Sequence, residues 1–296
     1  ETTSTLWRDF PEKSIATKLA PSRDIGVQIQ GKFFKKVLGY ELGYFNGSGK
    51  NAADGNDDKD YAARLTLFPF VNDKESVLNK LQVFGFGSRG TRDNTTPANF
   101  STTDTGLTFL TFNGSVREYG DFNRDGGGAV WAQGPLSLKG EFISQRVGLE
   151  RNVSAFPGQN QKPNMRYDAW YATVGYVLSG EDAVLGGRIV PKKPFLKGQG
   201  YGAWELVGRV SKFQAGSDLN NIEENFLTAP PGTVTGTGSA TEMNAWQVGL
   251  NWTPISNAKT LLSYGENRYG ADRIGALGAD IRKKEQFVML SAQFDF

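Results

Sequence analysis

The chain has 296 residues, with 33 basic and 31 acidic side chains and a formal net charge of +2. It contains no histidine and no cysteine, which excludes disulfides, His- or Cys-ligated metals and histidine-base hydrolysis within this chain. The balanced charge argues against a nucleic-acid partner, and no window approaches the roughly 20 apolar residues that a membrane helix needs.

Apolar side chains recur at every second position along most of the chain. The first such segment, IGVQIQGKFF, sets Val27 and Ile29 on one face and Gln28 and Gln30 on the other. This period of two predicts β-strands, and the segments are longer than the ~5–6 residues of most globular strands. Eleven strands are predicted, at 25–34, 36–46, 60–69, 81–88, 127–134, 136–150, 168–179, 201–213, 243–253, 258–266 and 284–296.

The connections between these segments alternate between short and long. This alternation is typical of a transmembrane antiparallel β-barrel, whose strands show lipid only every second side chain. Tight turns are predicted at 35–36, 134–135 and 253–257, and the connections at 70–80 and 181–200 are expected at the same end. Long polar loops are predicted at 47–58, 89–125, 151–166, 216–241 and 269–284.

An odd, open set of eleven strands leaves two sheet edges without hydrogen-bond partners in lipid, which a membrane protein does not tolerate. Two alternatives resolve this problem. Either TGLTFLTFN at 105–113 is a twelfth strand, or the chain lacks N-terminal strands of the complete barrel. We favour the second alternative.

Several stretches together resemble one protein family. They are FPEKSIATKLAPSRDIGVQIQG, GYFNG, GPLSLKGEF, AWYATVGYVLSGE, YGAWELVGRVS, QVGLNWTP and the terminal phenylalanine. In order and spacing they are similar to the phosphate- and polyphosphate-selective porins (the porin O/P family) of Gram-negative outer membranes. The resemblance implies an all-β, sixteen-stranded transmembrane antiparallel barrel, of which this chain supplies about the last eleven strands.

The resemblance also implies a domain organisation and a function. Residues 1–24 correspond to a constriction loop that folds inward, and residues 25–296 to barrel strands with long extracellular loops. The expected function is passive diffusion of small anions, with phosphate or polyphosphate preferred and with no enzymatic activity and no cofactor. The expected surroundings are outer-membrane lipid and lipopolysaccharide, and the expected assembly is a homotrimer.

The EKSIATKLAPSRD stretch combines cations with small hydroxyls. An anion that sheds water in a narrow pore needs such donors as replacement ligands, whereas an exposed charged loop is the alternative interpretation. The resemblance places an anion-binding constriction at Lys13, Ser14, Lys18 and Arg23.

Charged side chains also alternate with apolar ones inside the predicted strands. An Arg or Lys that faces lipid at the midplane costs about 2–4 kcal/mol, so these residues are predicted to line the lumen. There they either steer anions or pair with one another across strands. They are Lys32, Arg64, Lys139, Arg209, Glu41, Glu141 and Glu205.

Two further basic groups are candidates for anion handling by resemblance, with solvated turns and loops as the alternative. A periplasmic cluster comprises Lys35, Lys36, Lys192, Lys193 and Lys197, with Arg188 nearby. Mouth arginines in the loop 89–125 are Arg89, Arg92, Arg117 and Arg124. The apolar TFLTF within this loop predicts packing inside the vestibule or at a trimer contact.

No metal site is predicted. DGNDDKD has the opening spacing of a calcium loop, but Lys59 and Leu65 stand where that loop requires Gly and Glu. Other functions stay open: a general porin with mild anion preference, a plugged structural or adhesive barrel, and, less consistent with the sequence, an outer-membrane enzyme or a soluble β-sandwich.

Overall fold

The computed structural model of the chain describes residues 8–47, 49, 59–151, 163–195, 200–216, 226–228, 239–270 and 283–295. Within these residues the secondary structure is almost entirely strand, with one short 3-10 helix at Ile15–Lys18. No helix in this part of the chain is long and apolar enough to cross a membrane.

The strands in chain order are β1 Gly26–Phe33, β2 Leu38–Phe45, β3 Asp60–Leu67, β4 Gln82–Thr95, β5 Phe100–Ser101, β6 Thr108–Phe112, β7 Val116–Gln133, β8 Leu136–Arg151, β9 Asn164–Val177, β10 Ala203–Ala215, β11 Leu227–Thr228, β12 Glu242–Ile255, β13 Ala258–Gly270 and β14 Lys284–Phe294. Eleven of them form one antiparallel sheet in the order β1-β2-β3-β4-β7-β8-β9-β10-β12-β13-β14. The eleven predicted strands are therefore confirmed. The number sixteen for the complete barrel stays a prediction.

The sheet has two chemically distinct faces. On the outer face, apolar side chains stand exposed, as with Val288 at 70% and Leu290 at 72% of their maximal area. On the inner face, polar side chains are buried, as with Arg209 at 6% and Asn251 at 2%. This is the reverse of a soluble protein and fits a wall whose outer face contacts lipid.

An aromatic and aliphatic cluster lies on the inner face. It joins the 3-10 helix, β6 and the inner residues of the central strands, including Leu19, Leu110, Tyr167 and Phe213, each 1% exposed or less. The Phe109 and Phe213 rings meet edge to face with centroids 5.4 Å apart. Two segments of the chain therefore fold inside the sheet and pack against it.

The segment TFLTF, which forms β6, is not a twelfth strand of the wall. It pairs with β5 and β11 in a separate three-stranded sheet, and its last four residues are buried. A wall strand shows every second side chain to lipid, whereas both faces of β6 are covered. Its position agrees with the prediction that TFLTF packs inside the vestibule.

The strands β4 and β7 run further from the membrane than the sequence indicates. The predicted loop 89–125 is ordered strand up to Thr95 and again from Val116, so only 96–115 connects them. Beyond the lipid both faces of a strand meet polar surroundings, and the apolar alternation that marks a strand disappears. The predicted loops 47–58, 151–166, 216–241 and 269–284 lie largely outside the described residues.

The short connections all occur at one end of the sheet, as predicted. The β1–β2 turn spans 34–37 and holds Phe34, Lys35 and Lys36 at positive φ. Gly134, at φ 51°, makes the β7–β8 turn. The longer β9–β10 connection folds back toward this turn, where the Ala183 N–H donates to the Gly134 carbonyl over 2.7 Å.

The two faces of β14 give a direct test of this orientation. We expect Leu290→Arg to destabilise the inserted protein by about 2–4 kcal/mol, because the guanidinium would face hydrocarbon. Ser291→Arg on the inner face is the matched control and should cost much less. Equilibrium urea unfolding in lipid vesicles measures both, and equal costs would contradict the assignment of faces.

Candidate functional site

The N-terminal segment 8–24 lies on the inner face of the sheet. Its 3-10 helix places Ile15 and Ala16 against the inner cluster, with Leu19 just after the helix, and all three are 1% exposed or less. The Thr17 hydroxyl donates to the Ser14 carbonyl over 2.7 Å and closes the first turn. The apolar residues thus hold the segment inside, while Thr17 is half-buried and Lys18 is exposed.

Polar contacts fix the start of this segment to three strands, and one of these strands is bonded to a fourth. The Lys139 Nζ of β8 donates to both carboxylate oxygens of Asp9, over 2.7 and 2.8 Å. The Lys259 Nζ of β13 donates to the Arg8 carbonyl over 2.7 Å. Asn251 of β12 donates to the Asp9 carbonyl over 2.9 Å and to Glu205 of β10 over 3.1 Å. These residues are far apart in sequence, so the segment ties the wall together from within.

A central cavity of about 220 Å³ opens between this segment and the inner face. Four cations, Arg8, Lys13, Lys139 and Arg209, and the acids Asp9 and Glu12 line it, and the β9–β10 connection closes one side. Asp9 is already paired with Lys139. Among the described residues, none accepts a hydrogen bond from the Lys13 ammonium, which therefore keeps its donors for the cavity.

A larger side cavity of about 370 Å³ lies between the end of the segment and the first strands of the sheet. Three arginines line it, and each packs on an aromatic ring. Arg64 lies 4.1 Å from the centre of the Phe84 ring. Arg92 and Arg124 lie 3.9 and 4.2 Å from the centre of the Phe122 ring. Such stacking fixes the guanidinium planes and leaves their N–H edges available.

The arginines of the side cavity differ in their acidic partners. Arg92 donates to both carboxylate oxygens of Asp60, over 3.0 and 3.2 Å. Arg124 has no acceptor among the described residues, and its Nε is buried without a partner. The buried hydroxyl of Ser88, directly opposite Arg124 across β4 and β7, also makes no hydrogen bond. A guanidinium and a hydroxyl therefore face this cavity with unused donors.

The four residues predicted for the constriction do not converge on one point. Lys13 lines the central cavity. The Ser14 residue is 1% exposed and belongs to the packed interior. Lys18 and Arg23 are exposed, and neither lines either cavity, although Ser22 and Asp24 next to Arg23 line the side cavity. Their joint role in anion binding stays a prediction.

The seven predicted lumen residues all lie on the inner face. The cross-strand registers show this, because residues that are directly opposite each other on neighbouring strands point to the same side of the sheet. Arg64 is directly opposite Glu41 across β2 and β3, and the Lys32 ammonium lies 4.7 Å from the centre of the Phe68 ring. In this set, Lys139 and Arg209 carry acidic partners, Asp9 and Asp104. Glu141 and Glu205 share the face.

The four predicted mouth arginines are divided between the two faces. Arg92 and Arg124 point inward, as described above. Arg89 lies opposite the exposed Tyr61 on the outer face and pairs with Asp125 over 2.8 Å. Arg117 donates to the carbonyls of Gly114 and Val116 beside it. Since β4 continues through this region, positions 89 and 92 differ by an odd number and point to opposite sides.

The predicted periplasmic cations lie in the connections at the short-turn end. Lys35 and Lys36 are exposed in the β1–β2 turn, and Lys193 is exposed in the β9–β10 connection. The Lys192 amide donates to Glu181 over 2.9 Å, and Arg188 donates to the Ser256 carbonyl over 2.6 Å and to Asp295. Lys197 lies outside the described residues.

Three functional candidates were not found in the sequence: Asp9, Asp104 and Lys259. Lys259 begins KTLLSYG, and strict alternation along that strand would have placed it inward. Asp9 and Asp104 lie in irregular segments, where no local pattern shows which way a side chain points. Among the described residues, no group of three or more acidic side chains is placed to hold a metal ion.

The family model for phosphate-selective porin O and P matches residues 1–296. The chain belongs to this family. It is therefore a porin-family protein of the Gram-negative outer membrane. No curated protein sequence matches it.

Two solved structures are similar to this porin. One is OmpT, folded in vitro, an outer membrane protein of Vibrio cholerae, with 11% identity and a TM-score of 0.43 over 91% of this chain and 63% of that one. The other is the loop L8 deletion mutant of OmpT, with 11% identity and a TM-score of 0.41 over 90% and 62%. The chain thus spans less than two thirds of either structure.

The Lys139–Asp9 ion pair gives a test of how firmly the N-terminal segment is held. We expect Lys139→Met and Asp9→Asn each to destabilise the porin by roughly 1.5–3 kcal/mol, as for hydrogen bonds to charged groups. The double variant should cost less than the sum, because the two side chains interact directly. Denaturant unfolding of the detergent-solubilised protein measures the three free energies.

A matched control pair lies on the outer face. Arg89 and Asp125 form an ion pair of similar length, but both side chains are 56% exposed. Arg89→Gln and Asp125→Asn should show a coupling of no more than ~0.5 kcal/mol. Equal coupling in the two pairs would show that Lys139 does not anchor the segment.

Proposed function

We propose that this porin lets small anions diffuse passively across the outer membrane, with phosphate or polyphosphate preferred, and that it performs no chemistry. The observation that carries the proposal is the Arg124 guanidinium. It is held on the Phe122 ring, faces the side cavity and finds no acceptor among the described residues. A cation with unused donors in a water-accessible cavity attracts an anion that supplies the missing acceptors.

The surroundings of Arg124 favour an oxyanion over a simple halide. The Ser88 hydroxyl is an unused donor on the same inner row, and Arg64 and Arg92 add two further guanidinium groups to the cavity wall. Planar guanidinium groups and hydroxyls match phosphate oxygens in geometry. Each contact is single, which suits a channel, because a permeating ion must also leave.

Residues 1–24 act, in this proposal, as the loop that narrows the pore. The described part of this segment lies on the inner face and brings Lys13 next to Lys139 and Arg209. An anion that leaves the side cavity would meet this second group of cations. The proposed assembly is a homotrimer surrounded by outer-membrane lipid and lipopolysaccharide.

A general porin with mild anion preference is the second candidate. The inner face carries Glu41, Glu141 and Glu205 in addition to its cations, and several acids pair with the bases that would otherwise attract anions. Pairing of this kind reduces the positive potential along a pore. The two candidates therefore differ in whether the positive charge of Arg124 and Lys13 exceeds the negative charge of the acids along the pore.

Single-channel recording tests the proposal. The wild-type protein in a planar bilayer in potassium chloride should be anion-selective, and phosphate should block the chloride current. Arg124→Gln should raise the phosphate concentration for half-block by about tenfold or more, since a charged hydrogen bond contributes roughly 1.5–3 kcal/mol. Arg89→Gln is the matched control, because it removes the same charge from the outer face and should leave the block unchanged.

The alternative outcomes are distinct. A current that phosphate does not block makes the protein a general porin. The absence of any current from correctly folded protein would indicate a plugged structural barrel. Equal effects of Arg124→Gln and Arg89→Gln would show that the side cavity has no special role.

A further inference from the structure

A buried acid faces Arg209, one of the cations that line the central cavity. Asp104 lies between β5 and β6, in the connection that folds inside the sheet. Its carboxylate is 3.6 Å from the Arg209 guanidinium of β10, and the two side chains are only 7% and 4% exposed. The Asp104 Oδ1 atom accepts no hydrogen bond from any described residue. Proximity to Arg209 thus supplies charge neutralisation but leaves this oxygen without a donor.

Asp104 lines a small cavity that has both polar and apolar walls. It measures about 10 Å³, close to the volume of one water-sized group. Asp104, Arg209, Ser14, Ser211 and Asn267 are among the residues that line it. Asn267 Oδ1 is a second buried acceptor without a hydrogen bond from the described residues. Two acceptors that line one small cavity favour the form of Asp104 that carries a proton.

Arg209 connects this cavity to the central cavity. It donates to the Glu12 carbonyl over 3.0 Å and to Gln247 over 2.7 Å, and its guanidinium lies 4.6 Å from the centre of the Phe10 ring. These contacts hold the guanidinium in place whatever the charge on Asp104. Arg209 also lines the central cavity with Lys13 and Lys139. The net charge that an anion meets there therefore depends on whether Asp104 is ionised.

The charged groups around Asp104 set the pH at which it changes. Burial raises its pKa from 3.8 to about 6, Arg209 opposes that rise, and Glu12 of the N-terminal segment and Glu285 of β14 add to it. The chain has no histidine, so no imidazole titrates in this range. Asp104, beside the cations of the central cavity, therefore changes charge between about pH 5 and 7.

We propose that Asp104 sets the anion selectivity of the pore by neutralising Arg209 when ionised and releasing its positive charge when protonated. The proposal rests on the anion-conducting function proposed above and adds to it a pH response at the central cavity. Acidification strengthens the attraction for anions, and alkaline conditions weaken it. Asp104 is in this sense a specificity-determining residue that lies outside the wall strands.

The first test is the reversal potential in a potassium chloride gradient at pH 5.0 and 7.5. For the wild type, the anion-to-cation permeability ratio should be at least about twofold higher at pH 5.0 than at pH 7.5, with a midpoint near pH 6. Asp104→Asn should show the acid value at both pH values, because the amide is neutral throughout. Asp93→Asn, which removes an exposed acid at the end of β4, should respond to pH like the wild type.

A second measurement does not depend on conduction. Because the folded protein holds the Asp104 proton more tightly than the unfolded chain does, its stability should fall as pH rises from 5.0 through 6 and level off above it. In detergent solution, the drop in unfolding temperature between pH 5.0 and 7.5 should be smaller in Asp104→Asn than in the wild type and in Asp93→Asn.

The outcomes separate this proposal from the preceding one. A selectivity change with pH that persists in Asp104→Asn, or an equal loss of unfolding temperature in all three proteins, overturns the role of Asp104. A phosphate-blocked channel whose selectivity ignores pH overturns it as well and leaves the anion porin intact. A pH-dependent selectivity that disappears in Asp104→Asn supports it even if phosphate does not block the current.

Discussion

The backbone of the wall has to satisfy its own hydrogen bonds, because lipid offers no partners, and this constraint shapes everything else in the molecule. Each strand from β2 to β13 in the large sheet pairs on both sides in antiparallel register. Once the backbone is paired in this way, successive side chains of each strand must point alternately to the lipid and to the interior. The apolar outer face and the polar inner face follow from that alternation.

A polar inner face creates a second requirement, since charged groups in a narrow space need partners or water. The N-terminal segment and the connection that contains β6 meet this requirement in part. They bring Asp9 to Lys139 and Asp104 to Arg209, and they cover the apolar residues of the inner face with Leu19 and Leu110. The same two segments leave open volume beside Lys13 and Arg124. The interior is therefore a packed anchor in one region and an accessible, donor-rich surface in another.

The proposed selectivity arises from this uneven pairing and not from an excess of positive charge. Basic and acidic residues are nearly equal in the chain, and most inner acids lie next to a base. A small number of inner cations lack an acidic partner. They are held by aromatic rings or by the backbone, and some of their N–H groups make no hydrogen bond. Stacking on Phe122 fixes Arg124 without neutralising it, which a carboxylate partner would do. Aromatic support is thus the means by which a balanced interior still presents positive charge to a permeating ion.

The sequence by itself determined the eleven wall strands, their two faces and the alternation of short and long connections. Strand periodicity is a local property, and lipid on one side enforces it at every second residue. The inward direction of Lys139, Arg209 and Glu205 followed from the same pattern. Only the tertiary structure decided that β6 packs inside, that Arg89 and Arg92 point to opposite sides, and that Asp104 faces Arg209. Asp9 and Lys139 are 130 residues apart, and contacts over such distances depend on how irregular segments fold onto the sheet, which no short sequence pattern encodes.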